Sequence, residues 1–254
     1  MTKPPIAVQL YSLRDAAAVD FPGVLARVGV MGFTGVEVAG FHDLEPAEFG
    51  RALDAAGLRL SSAHVALGDH DEYEAALDTH QELGADTVVV PFLGPDDFAS
   101  ADAVASAADR INRAHESTSA RSLSLGYHNH WWELEQSVDG RPALLALFDH
   151  LAPDVVAEVD VYWAQVGGVD PAELIAELGD RVALVHVKDG PADTPGSPMV
   201  AVGDGVIDVP GVLGAASAAR WHIVELDNCA TDMETAVERS YEYLVGSGLS
   251  AGRT

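Results

Sequence analysis

Five residues with metal-binding or acid–base side chains close four apolar runs in the second half of the chain. They are His128 and His130 in SLSLGYHNHW (122–131), Asp160 in VVAEVDVYW (155–163), His186 in RVALVHVKD (181–189) and Glu225 in WHIVELDN (221–228). Mixed imidazole and carboxylate donors suit one divalent ion of the Mn2+, Mg2+, Co2+ or Zn2+ type, with coordination positions left open for substrate oxygens. A single histidine at a strand end reads most simply as a satisfied core or loop residue, whereas four ligand-bearing ends in succession read as a ring. His186 is further marked by Lys188 and Asp189 in the same HVKD segment, while His42, His70, His80 and His150 fall in loops or helices and read as structural.

The elements that must carry these residues are strands of a parallel sheet. Such strands are buried on both faces, so they appear as near-continuous apolar runs, and polar residues collect where the strand stops. Eight strands are expected, at 6–13, 35–40, 59–67, 87–93, 122–131, 155–163, 181–189 and 221–228. Helices with apolar residues at three- and four-residue spacing are expected at 21–31, 46–56, 71–83, 101–117, 140–149, 170–178, 208–219 and 231–246. Asp20 before Phe21-Pro22, Glu45-Pro46, Asp170-Pro171 and Asp208 before Val209-Pro210 mark helix entries. Gly32, Gly57, Gly84 and Gly179 mark helix exits as left-handed caps. Eight alternations with short connections give an α/β chain folded as a single (β/α)8 barrel, one domain over 1–254, with 246–254 as a frayed tail. The Gly/Pro-rich stretch 190–206 leaves the seventh strand and is expected to be a mobile loop over the site.

In such a barrel the active site lies at the C-terminal face of the strands. Alternate residues of a strand share a face, which pairs His128 with His130, Glu158 with Asp160, and Glu225 with Asp227. At 254 residues and 48% apolar composition the chain can bury a large core. Its 14 Lys and Arg stand against 40 Asp and Glu, and a net charge of −26 repels nucleic acid and anionic membranes. The acidity itself reads as a solvated surface. No apolar run approaches the ~18 residues of a membrane span. The opening MTKPPIAVQL has no basic segment followed by an apolar stretch, and a cytoplasmic location is expected. The lone Cys229 reads as a small buried filler.

Several segments resemble the sugar phosphate isomerase/epimerase family, the xylose-isomerase-like TIM barrels that include inosose dehydratase, ketose 3-epimerases and endonuclease IV. They are YSLRD (11–15), GVEVAG (35–40), YHNHWWELE (127–135), EVDVYWAQVGGVDP (158–171), LVHVKDG (184–190), GDGVID (203–208) and VELDN (224–228). The resemblance implies one divalent ion held by residues of the fifth to eighth strands, and by motif the last three fall on Asp160, His186 and Glu225. At the fifth strand the family's glutamate is missing and YHNH stands in its place, as in the inosose-dehydratase-like branch; His128 is the expected ligand, with His130 beside it. If His128 binds metal, another group must act as second acid or base alongside Glu225, and the candidates are His130, Glu158, His64, Glu37 and Lys188.

The chemistry so implied is proton abstraction alpha to a carbonyl of a small sugar or keto-polyol, by a metal-dependent isomerase or epimerase. A C–O lyase acting on a keto-sugar or keto-inositol is the alternative, and a non-catalytic sugar-binding barrel a third. An endonuclease-like activity would need further zinc ligands and a basic groove, against the charge. Trp163, Tyr11 and Arg14 are expected to bind substrate, Trp163 as an apolar wall, while Trp131 and Trp132 read as wall, core or contact residues and Glu133 and Glu135 as surface cover. The face offers only Arg14, Lys188 and the Gly203-Asp204-Gly205 turn for phosphate, so a neutral substrate is expected. Relatives of this kind are often dimers or tetramers, and a homo-oligomer is within expectation.

Overall fold

The computed structural model of the protein describes residues 3–253. Eight parallel strands close into a barrel: β1 (Ile6–Gln9), β2 (Gly35–Val38), β3 (Arg59–His64), β4 (Thr87–Val90), β5 (Ser124–His128), β8 (Val156–Asp160), β9 (Val182–Val187) and β10 (Trp221–Val224). A two-stranded antiparallel hairpin, β6 (Ser137–Val138) and β7 (Arg141–Pro142), lies outside it. The barrel order is β1-β10-β9-β8-β5-β4-β3-β2, so each strand pairs with its neighbour in the chain and β1 closes against β10. The expected (β/α)8 barrel is therefore the observed one.

The outer layer comprises α1 (Arg14–Met31), α2 (Pro46–Ala56), α3 (His70–Glu82), α4 (Ala101–Ala120), α5 (Trp132–Glu135), α6 (Ala143–His150), α7 (Val161–Val166), α8 (Pro171–Leu178), α9 (Val209–Ala215) and α10 (Met233–Gly246). Helix entries follow the expected chemistry at Asp170, whose carboxylate accepts from the N–H groups of Ala172 and Glu173, and at Asp208, which accepts from Gly211 N–H. Asp20 caps Gly23 N–H as expected, but an additional helical segment precedes it, so α1 begins at Arg14 and kinks at Asp20. Glu45 precedes Pro46 without a side-chain cap. Gly32 and Gly57 end their helices in the left-handed conformation (φ 105° and 66°), whereas Gly179 adopts φ 57°, ψ −130°, outside it.

Inside the barrel the two ends are packed differently. The lower half is an apolar plug of Ala7, Val89, Ala183, Leu184, Ile223 and Trp221, separate from the large core between sheet and helices. The upper half holds buried Gln9, Glu37, Ser62, His128, Glu158, Asp160, His186, Lys188 and Glu225. Barrel interiors are ordinarily filled by branched apolar side chains, and buried polar groups cost free energy unless paired, so this layer marks a candidate site. Register shifts next to Glu37 in β2 and Glu158 in β8 re-aim these carboxylates inward.

Two expectations are corrected. The tail expected to fray is docked as far as it is described, Thr254 lying outside the described residues. Ala251 bridges β1 through Ile6 N–H to Ala251 C=O, Ser250 is buried against His222, and Arg253 N–H donates to Gly32 C=O. The loop 190–206 is anchored over its second half. The buried Asp189 carboxylate accepts N–H groups from Gly190, Gly203, Gly205 and Ile207, and Met199, Ala201 and Val202 are buried.

His80 lies in α3 against Phe41, buried, with Nδ1 unpartnered, and burial lowers its pKa to about 4. A group whose folded pKa lies below its unfolded value binds protons less readily in the fold, so it costs stability as pH falls from about 6.5 to about 4. At ~1.4 kcal/mol per unit, His80→Leu should lose about 2 kcal/mol less stability than the parent between pH 7.5 and 5. Urea unfolding of both proteins at the two pH values checks this; parallel losses would contradict it.

Candidate metal centre

The upper layer is assembled from seven strand ends. Glu37 lies near the end of β2, and its Oε1 accepts from Gln9 Nε2 at 2.7 Å while its Oε2 is bound by Ser62 Oγ. His64 ends β3 with Nε2 2.8 Å from Glu158 Oε2 and 3.1 Å from Glu37 Oε1. His128 ends β5, with Nδ1 3.1 Å from Glu158 Oε2 and Nε2 3.8 Å from Asp160 Oδ2. His186, on β9, has Nδ1 2.7 Å from Glu225 Oε2 and Nε2 2.6 Å from Glu37 Oε1. Glu225 follows β10, and Asp160 ends β8.

Asp160 has two tasks. Its Oδ1 accepts Trp163 N–H at 2.9 Å, which caps α7 and ends the strand, and its Oδ2 is left buried without a hydrogen bond of acceptable geometry. Asn129 fixes the approach, its Oδ1 accepting Asp160 N–H at 3.0 Å. Glu158 Oε1 is likewise buried and unpartnered. Buried carboxylate oxygens are costly unless a cation offsets them, and at Asp160 Oδ2 the Lys188 ammonium stands 2.9 Å away without hydrogen-bond geometry.

Two overlapping groups of donors lie within 4.8 Å of one another: His128, Asp160, His186 and Glu225, and His64, His128, Glu158 and His186. The first is the set expected from the sequence. Its donors, two imidazoles and two carboxylates, fit a divalent ion of the Mn2+ or Zn2+ type.

Electrostatics divides the histidines. Burial lowers His186, but Glu158, Glu37 and Glu225 more than reverse this and hold it well above the ordinary range. Burial also opposes protonation of His64, yet Glu37 and Glu158 raise it to about 10. His128 lies well below its ordinary value through burial and the neighbouring cations, and a neutral imidazole is the form that ligates metal. Burial raises Glu158 and Asp160, while His64 and His186 outweigh burial at Glu37, and Lys188 and His186 outweigh it at Glu225, so both are held low.

Above the cluster opens a cavity of about 430 Å³ lined by Tyr11, His64, Phe92, His128, His130, Glu225 and Asp227, among others. A cleft of about 530 Å³ at the opposite end, around Lys3, Arg59 and Arg220, adjoins none of these donors. His130 sits on the cavity wall, its ring stacked on Trp132 at 4.4 Å and its backbone N–H held by Glu133 at 3.0 Å.

The remaining site candidates are distributed as follows. Tyr11 lines the cavity, but Trp163 is buried beneath Trp131 and faces Lys188 Nζ at 5.3 Å from the ring centroid, so it is not an open wall. Arg14 donates to the carbonyls of Tyr11 and Asp227 and does not line the cavity. Glu133, expected on the surface, is fully buried and also accepts from Tyr127 OH at 2.9 Å. Glu37 and Glu158 lie beneath the cavity floor, holding imidazoles. Gln9, Ser62, Asn129 and Phe92 belong to the site although sequence reasoning passed them over; Phe92, directly after β4 and Pro91, had only its strand-end position to signal it.

A family model described as the xylose isomerase-like TIM barrel matches residues 25–244. A solved sugar phosphate isomerase/epimerase from Parabacteroides distasonis ATCC 8503 is 25% identical, with a TM-score of 0.86 over 99% of this chain and 96% of that one. A probable 3-DHS dehydratase of petrobactin synthesis from Bacillus anthracis shares the fold at 13% identity (TM-score 0.75, 95% of this chain and 98% of that one). A D-allulose 3-epimerase from Methylomonas sp. shares it at 15% identity (TM-score 0.71, 97% and 98%). No curated protein matches the chain.

Proposed function

The chain belongs to the xylose isomerase-like TIM barrel family, and from that premise we propose that it is a divalent-metal-dependent isomerase or epimerase acting on a neutral sugar or keto-polyol. His128, Asp160, His186 and Glu225 would hold the ion. Bound there, it would polarise a substrate carbonyl and the adjacent hydroxyl, lowering the cost of an enediolate.

The observation that carries the reading is the placement of two acid–base groups on opposite walls of one cavity. Glu225 follows β10 and His130 follows β5, strands separated by β8 and β9 on one side of the barrel and by β1 to β4 on the other, and both line the space above the donors. The hydrogen bond and ion pairs of Glu225 run to Oε2, leaving Oε1 to take the proton alpha to the carbonyl. His130 Nδ1 is buried toward Glu133, 3.9 Å from its Oε1, and the imidazole, whose ring lines the cavity, would deliver or remove a proton from the other face. Glu133, through the His130 backbone, and Trp132, through the ring, hold that imidazole in place. His64 on the floor is held by Glu158 and Glu37 at Nε2 and lies beside Gln9 at Nδ1.

A neutral substrate fits the charges. Glu225 and Asp227 line the cavity, no Lys or Arg does, Lys188 is engaged by three carboxylates and Arg14 by two carbonyls. A phosphate dianion would meet these carboxylates with no Lys or Arg on the cavity lining to offset them.

Incubation with Mn2+ and a panel of neutral keto-sugars in deuterated water should place one deuteron on the carbon beside the carbonyl with no loss of water. Glu225→Gln and His130→Asn should each slow that exchange by about 100-fold or more. Appearance of an enone or dione absorbance would instead support the lyase reading, which has the imidazole of His128 in place of a glutamate in its favour.

A further inference from the structure

Lys188 is the only Lys or Arg among the buried residues described, and it lies against two residues of the donor set. Its Nζ lies 2.9 Å from Asp160 Oδ2, 2.7 Å from Glu225 Oε2 and 2.6 Å from Asp227 Oδ2, with 1% of the residue exposed. Two of these oxygens belong to residues of the donor set that would hold the ion. An ammonium within 3 Å of both supplies the positive charge that an ion held by these residues would supply.

The contact to Asp160 Oδ2 is short but lacks hydrogen-bond geometry, so at that oxygen Lys188 offers charge without a directed bond. Toward Asp227 it makes a directed bond, and that carboxylate is 30% exposed at the cavity wall. The Trp163 ring face provides an apolar support alongside the ammonium.

We propose that Lys188 is an internal surrogate cation: it holds Asp160 and Glu225 together in the metal-free protein, and metal loading displaces its ammonium onto Asp227. This rests on the metal-dependent reading given above. In the loaded protein Lys188 then stays paired with Asp227, the carboxylate at the cavity wall. Lysine suits this exchange better than arginine, being a compact charge on a flexible stem.

Displacement makes Lys188 a competitor of the ion, which leads to an unusual expectation. Lys188→Met and Lys188→Gln, the second keeping a polar tip where the first is too unstable, should bind Mn2+ at least about tenfold more tightly than the parent by calorimetric titration. Mn2+ should also raise the Tm of either variant by more than it raises that of the parent. Equal or weaker Mn2+ binding by both variants, with the parent binding normally, would overturn the surrogate role and leave the metal site standing. Absence of Mn2+ binding by all three proteins would overturn the metal reading itself, and this inference with it.

Discussion

Asp160→Asn should lower kcat/KM about a thousandfold with only a small fall in Tm. The amide keeps the oxygen that caps Trp163 N–H, and asparagine is as good an N-cap as aspartate, so α7 and the end of β8 persist. What disappears is a buried negative charge whose pKa burial already raises, with one oxygen lacking a proper partner. The fold loses one of the three carboxylates around the Lys188 ammonium, which keeps Glu225 and Asp227, whereas the metal centre would lose a ligand. Lewis-acid assistance contributes several kcal/mol, and ~4 kcal/mol corresponds to a factor of about a thousand. Paired measurements of kcat/KM in saturating Mn2+ and of Tm in chelator decide the matter. A variant that loses Tm in proportion to activity would show Asp160 to be structural.

The opposite result is expected at the other end of the barrel. Trp221→Ala should unfold roughly 10 °C earlier, yet the folded fraction should retain the parent's turnover. Trp221 is 7% exposed, and its ring fills the barrel bottom against the space above Gly35, where a Cβ would come within 2.9 Å of it. Arg59 covers its outer face at 4.7 Å. Removing such a side chain costs about 3–5 kcal/mol, and in a chain of this size each kcal/mol moves the Tm by about 2–4 °C. The apolar plug is separate from the donors above it, so the loss falls on stability. A fall in turnover of the folded protein to match would show that the two halves of the interior are not separable.

That division explains what could be read from the sequence. Apolar runs with polar ends specify both a buried parallel strand and the face on which its last residues emerge, so Asp160, His186 and Glu225 were legible together with the barrel. The boundaries were less so. The segment from Val161 to Trp163 has strand-forming side chains, but Asp160 caps its backbone into a helical turn, and local capping overrides β-propensity. His128 was separable from His130 only by geometry: one closes β5 over Glu158, and the other lies past the strand in a turn held by Glu133.

Glu133 itself was read as surface because a glutamate next to two tryptophans gives no sign that Tyr127 OH and His130 N–H await it inside. Gln9 and Ser62 were overlooked because they serve the centre indirectly, by holding Glu37. The loop 190–206 has the composition of a mobile segment, and only the convergence of four N–H groups on Asp189 reveals its anchor.

The central claim is that the upper layer of the barrel is a metal centre built from His128, Asp160, His186 and Glu225. The most direct test is a crystal of the protein grown with Mn2+ and measured for anomalous scattering. The account predicts one peak within about 2.0–2.3 Å of donor atoms from all four residues, with Lys188 Nζ drawn off Asp160 and Glu225. A peak held instead by His64 and Glu158, or no peak at millimolar Mn2+, would contradict it.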